Sequence, residues 1–171
     1  MSARLARDSP TKDILMLAIP PQAFPAFARE ARWAQAHPWL VLSVMAGVRI
    51  ANIQRALQVR YVVRTIPNTP AAVFEGMTIF CKSGSVDEAL THSTRRVLES
   101  FGRCAEVSDE ALIDPATALC GGGPAFVAYF AHALQQFGVC AGIDESVARS
   151  TVVQLLRGTA ELLDASGKPL L

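Results

Sequence analysis

Three short apolar runs recur through the first 66 residues at steps of about 25, each closed by proline or glycine. They are Asp13-Ile-Leu-Met-Leu-Ala-Ile19, Leu40-Val-Leu-Ser-Val44 and Tyr61-Val-Val-Arg-Thr-Ile66. Pro20-Pro21, Ala46-Gly47 and Pro67 stop them in turn. Runs that stay apolar instead of alternating suit strands buried on both faces, the condition of a parallel sheet. Between them, residues 23–33 can form a helix, and Ile50, Ile53 and Leu57 recur at helical spacing. Strand, helix, strand, helix, strand predicts right-handed βαβ units. Ligands of such sheets bind at loops leaving the carboxyl ends of the strands. Here those loops are Pro20-Pro-Gln22, Ala46-Gly-Val48 and Pro67-Asn-Thr-Pro70.

The rest is more mixed. Gly76-Met-Thr-Ile-Phe-Cys81 reads as a further strand, expected antiparallel at the sheet edge. Ser85 and Glu88 have capping-box spacing and predict a helix over about 86–101, stopped by Gly102. Residues 103–107 make a last short strand. Leu119-Cys-Gly-Gly-Gly-Pro-Ala-Phe126 then changes the character of the chain. Its glycines read as a loop whose free N–H groups could hold a carboxylate or phosphate, with Pro124 in the first turn of the next helix. The bland alternative is a close crossing of helices or subunits. Two long helices follow, over about 124–137 and 144–165, the second capped by Asp144. Val147, Thr151, Leu155, Gly158 and Leu162 line one face of it, a packing surface that wants a partner.

Composition narrows the function classes. Of 171 residues, 51% are hydrophobic and the net charge is +1, so the chain should fold and is no general nucleic-acid binder. No apolar run approaches the ~20 residues of a membrane span, and the first ten residues do not read as a secretory signal. Cys81, Cys104, Cys120 and Cys140 form no C-x-x-C, which argues against a metal site or disulfide framework. A reduced cytoplasmic protein is expected. Nothing before Thr11 supplies the G-x-G-x-x-G turn with which a dinucleotide-binding sheet normally begins.

Arg64-Thr-Ile-Pro-Asn-Thr-Pro-Ala-Ala-Val-Phe-Glu-Gly-Met77 closely resembles the R-x-M-P-N-T-P-x-x-V-x-E-G-M stretch of pyrroline-5-carboxylate reductases. Ala18-Ile-Pro-Pro-Gln22 is similar to that family's A-V-K-P-Q, and Ser43-Val-Met-Ala-Gly-Val48 to its S-I-A-A-G-V. The stretch from Asp109 through Cys120-Gly-Gly-Gly-Pro-Ala-Phe126 resembles its D-E-x-x-x-D-A-V-T-A-L-S-G-S-G-P-A-Y. The motifs keep their order over nearly the whole chain. The resemblance implies an α/β fold: a partial Rossmann-type parallel sheet (1–108, first strand and glycine turn missing) followed by an all-helical dimerisation domain (109–171, truncated at its end). It implies reduction of 1-pyrroline-5-carboxylate to proline with NADPH or NADH, in a homodimer or higher homo-oligomer. By motif position, Ala46, Gly47, Pro67 and Asn68 would line the cofactor and Glu75, the catalytic candidate, would stand near the substrate. A buried loop carboxylate there could equally be structural, and Pro-Asn-Thr-Pro is good turn chemistry whatever Asn68 binds. Cys120, Gly121, Gly122 and Gly123 would lie on the substrate side.

The departures set the alternative. The family's lysine is Pro20 here, its two serines are Cys120 and Gly122, and its S-P-G-G-T-T segment is not reached before Leu171. A thiol is a weak donor and glycine offers only backbone. These changes leave open a non-enzymatic dimerising module. A related imine or β-hydroxyacid dehydrogenase fits less well, because those enzymes use a lysine in the helical domain and none lies between Lys82 and Lys168.

Overall fold

The computed structural model describes residues 13–31 and 39–167. Residues 1–12, 32–38 and 168–171 lie outside it, and with them the stretch read as lacking a glycine turn and the end of the helix expected to reach Trp33. Packing divides the chain into one compact unit ending at Gly122 and another beginning at Gly123.

In the first unit the three apolar runs are strands β1 (Ile14–Leu17), β2 (Leu40–Ser43) and β3 (Tyr61–Ile66), paired parallel in that order. Helix α1 (Phe24–Glu30) lies between the first two in sequence and α2 (Ile50–Leu57) between the second two. Alternate side chains enter two cores. Val41 and Val62 pack with Phe24, Ile53 and Leu57 of α1 and α2. Leu40, Leu42 and Val63 pack on the other face with Leu90 and Leu98 of α3 (Glu88–Glu99). Burial on both faces is why β2 and β3 show no polar alternation, whereas β1 leaves Met16 exposed.

Strand β4 (Gly76–Lys82) pairs antiparallel with β3. Residues 67–75 are too few for a crossover, which needs a dozen or more residues, so the chain must turn back. The edge position expected for β4 is corrected: β5 (Gly102–Glu106) pairs parallel with its other side after the α3 crossover. The cap of α3 is also corrected. Asp87 accepts the Leu90 N–H at 2.9 Å, whereas Ser85 donates its hydroxyl to the Arg60 carbonyl at 2.6 Å.

A larger correction concerns the glycines. Helix α4 (Ile113–Ala116) runs into a π turn over Thr117–Gly121, where the Gly122 N–H reaches the Thr117 carbonyl at 3.0 Å, and α5 (Gly123–Cys140) follows. Gly121, Gly122 and Gly123 are therefore helical and form no open loop of free N–H groups. Residues 109–122 pack with the sheet unit, Ile113 in one core and Ala116 and Cys120 against Ile66 in another. The second unit is a helical hairpin of α5 and α6 (Glu145–Ser166). Asp144 caps α6 through the N–H groups of Ser146 and Val147. Gly138 and Ala148 meet where the helices approach. By length and composition alone, the helical stretch Glu110–Cys140 is long and apolar enough to cross a membrane.

Candidate functional site

The carboxyl ends of β2 and β3 sit side by side because Ser43 and Arg64 are in register. The Thr65 hydroxyl donates to the Ser43 carbonyl at 3.0 Å, and the buried Ser43 Oγ accepts the Met45 N–H at 3.3 Å. These bonds tie down the start of the turn carrying Ala46 and Gly47, both exposed. Gly47 has φ +73, a left-handed angle that L side chains resist, and a Cβ added there would meet nothing within 4 Å. The residue is glycine for its backbone angle, and the space over it is open.

Pro67 and Asn68 are half-buried at the end of β3. The Asn68 Oδ1 accepts the Met77 N–H at 2.9 Å, closing the Pro-Asn-Thr-Pro turn onto β4. The Cys120 thiol donates to the Met77 carbonyl at 3.0 Å and lies 3.7 Å from the Ile66 carbonyl. Asn68 and Cys120, 52 positions apart, are thus joined through one peptide residue. Burial pushes the Cys120 thiol above its ordinary pKa, so it stays a protonated donor. Gly121, Gly122 and Gly123 follow it, half-buried.

Glu75 is exposed, which corrects the expectation of a buried loop carboxylate. Its N–H bonds the Pro70 carbonyl at 3.2 Å beyond the short 3-10 turn Thr69–Val73. The turn ends on Phe74 in a left-handed conformation, and this reversal carries the Glu75 side chain outward. A pocket of about 600 Å³ lined by α2, residues 81–85 and residues 108–110 contains none of the expected site residues. Among the described residues no three His, Cys, Asp or Glu side chains converge as a metal site.

One constellation escaped the sequence reading. Arg64, 1% exposed in the middle of β3, reaches Asp114 at 2.7 Å and Glu110 at 3.2 Å. The same Glu110 oxygen accepts the Ile50 N–H at the start of α2, at 2.8 Å. A lone charged residue inside an otherwise uncharged strand, with two acids four residues apart later in the chain, was the available signal, since a buried cation requires anions.

Residues 110–170 match the family model described as pyrroline-5-carboxylate reductase dimerisation. The chain is 34% identical to a pyrroline-5-carboxylate reductase of Synechocystis over 151 residues, covering 88% of this chain and 56% of that protein. It is 33% identical to pyrroline-5-carboxylate reductase 3 of Macaca fascicularis, covering 91% and 57%. It therefore spans little more than half the length of these curated relatives. Among solved structures, a pyrroline-5-carboxylate reductase of Coxiella burnetii superposes with TM-score 0.85 at 26% identity, over 92% of this chain and 59% of that one. The Plasmodium falciparum pyrroline carboxylate reductase, solved with NADP bound, superposes with TM-score 0.81 at 26% identity, over 92% and 63%. Sequence, strand order and helical hairpin agree, and the chain belongs to the pyrroline-5-carboxylate reductase family.

Proposed function

We propose that the turns leaving β2 and β3 form the nicotinamide side of a site that reduces 1-pyrroline-5-carboxylate to proline. The observation that carries this reading is the adjacency of the Ala46–Gly47 and Pro67–Asn68 turns at the carboxyl ends of neighbouring parallel strands, where such sheets bind ligands. The fold likeness to a relative solved with NADP supports it. The residues present fit a flat ring: Gly47 leaves open space above its α-carbon, and Pro67 adds a rigid apolar wall. Asn68 spends its Oδ1 on Met77 and keeps its amide N–H groups as donors.

When bound, a reduced nicotinamide would supply a hydride to the imine carbon. The chain's share is orientation and charge. The iminium carbon accepts the hydride, the C=N π pair becomes the lone pair of the amine nitrogen, and the nitrogen keeps its proton, so no general acid has to act in that step. Glu75, an exposed carboxylate beside the Pro-Asn-Thr-Pro turn, would favour the protonated imine by its charge. The helical turn of Cys120 and the following glycines is held to the same Asn68 turn through Met77 and would bound the substrate side. The second unit would bring two copies together through α5 and α6, consistent with the dimerisation match.

The test is proline formation from pyrroline-5-carboxylate by the full chain, followed as NADPH oxidation and confirmed by identifying proline. Turnover above a no-enzyme control is expected. A folded oligomer with neither turnover nor NADPH binding would overturn the reading and leave the non-enzymatic dimerising module.

A further inference from the structure

We propose that Glu110 is a positioning residue for the dinucleotide: from the start of the dimerisation segment, it fixes the turn that leaves β2. The inference rests on the cofactor reading of that turn. Helix α2 begins without a cap of its own, since its N-cap is Arg49, whose side chain can accept no hydrogen bond from the helix. Its first N–H, that of Ile50, is instead received by Glu110 Oε1 at 2.8 Å, from a residue sixty positions later. A carboxylate at a helix N-terminus is favoured by both the unpaired N–H groups and the helix dipole.

Glu110 is itself held. The same oxygen accepts from Arg64 Nη1 at 3.2 Å, and Arg64 is fixed in the central strand and anchored on its other arm by Asp114 at 2.7 Å. The line from β3 through Arg64 and Glu110 to Ile50 thus ends three residues beyond Gly47. It meets the Ser43–Thr65 bond coming from the opposite end of the same turn. Residues 44–49 are clamped at both ends, and one clamp belongs to the segment the family model assigns to dimerisation. With the Ile50 N–H taken by Glu110, the start of α2 has one donor fewer to offer a phosphate. The turn is left to receive a neutral ring.

The test compares Glu110→Gln, Glu110→Ala and Asp114→Asn in the full chain, reading amide hydrogen exchange at Gly47, Val48 and Ile50 together with NADPH affinity. Glu110→Gln keeps an acceptor and loses the charge, and a charge-assisted bond is roughly twice as strong as a neutral one. It is expected to speed exchange at Ile50 and weaken NADPH binding by about three- to tenfold, and Glu110→Ala by more. Asp114→Asn removes the other anion of Arg64 without touching Ile50 and should leave NADPH affinity within about twofold. Should Glu110→Ala not fold, the Gln variant carries the test. Unchanged exchange at Ile50 in Glu110→Gln would overturn the clamp. Equal weakening by Asp114→Asn, or faster exchange with unchanged affinity, would overturn its role for the dinucleotide. A native chain that binds no NADPH would instead remove the cofactor reading beneath it, a failure visible before any variant is made.

Discussion

Arg64 is almost wholly buried, whereas its two partners are not. Its side chain is 2% exposed, against 27% for Glu110 and 61% for Asp114. Breaking this group should therefore be asymmetric. Glu110→Ala with Asp114→Ala leaves a buried guanidinium uncompensated, at a cost of about 3–5 kcal/mol. Arg64→Met leaves two carboxylates that can turn to solvent, and should cost clearly less. Urea unfolding of both variants checks this, and equal losses would mean that Arg64 is wetter than its burial implies. The thiols make a second prediction at this scale. Burial is the largest cause raising the Cys81, Cys104 and Cys120 pKa values above the ordinary 9.0. A thiol whose folded pKa is raised contributes stability that is whole below 9.0 and is lost as pH rises toward the folded value, because the unfolded chain ionises first. The urea midpoint should fall more steeply above pH 9 in the native chain than in Cys120→Ser, and parallel slopes would sink the idea. None of the thiol environments was legible in the sequence. Cys120 was read as a weakened serine at an open loop, and its partnership with the Met77 carbonyl depends on a fold that brings residues 43 positions apart together.

Among the elements, what was legible and what was not divides by whether the signal was local. Strands β1 to β3 and helix α6 were readable from apolar runs and from Asp144, because burial, on both faces in β2 and β3, and an N-cap leave marks in neighbouring residues. The interior place of β4 was not, since pairing on its second side is made by residues 102–106. The glycines were misread because glycine allows a loop without requiring one; the π turn is held by Cys120 and Ala116 packing on β3 and β4, which local propensity cannot express. Gly76 and Gly102 show where glycine is required. They face one another across β4 and β5, Gly102 has φ +139, and a Cβ on it would collide with the Gly76 backbone. Gly102→Ala should cost at least about 2 kcal/mol from strain and collision together. Gly84→Ala, in open space, serves as the control. Thermal melts of the two variants decide it. Similar melting temperatures would show that β5 can shift away from β4 at little cost.

At the scale of the whole molecule, the second unit carries far more apolar surface than a helical hairpin can hide. Phe126 and Tyr129 on α5 are 73% and 77% exposed, and Leu162 on α6 is 68% exposed. Only Gly138, Ala148 and Val152 of the two helices are buried. The stripe Val147, Thr151, Leu155, Gly158 and Leu162 faces solvent, so the seam between α5 and α6 uses a different face. Burying a phenylalanine or leucine side chain is worth about 1.5–3 kcal/mol, and a monomer forgoes this at each exposed position. Together with the dimerisation match over 110–170, this predicts that a second copy covers these helices. Phe126→Asp with Leu162→Asp places charge on both helices without touching the α5–α6 seam. Sedimentation equilibrium should then move from dimer or larger to monomer, while far-ultraviolet circular dichroism keeps its helical content. Gly158 sharpens the test. Alanine there meets nothing within 4 Å in the single chain and should stabilise an isolated helix by about 1 kcal/mol. If a second copy packs closely over that stripe, Gly158→Ala will instead weaken association. A variant that melts higher and associates as tightly as the native chain would show that the interface avoids the stripe and uses the aromatic face of α5.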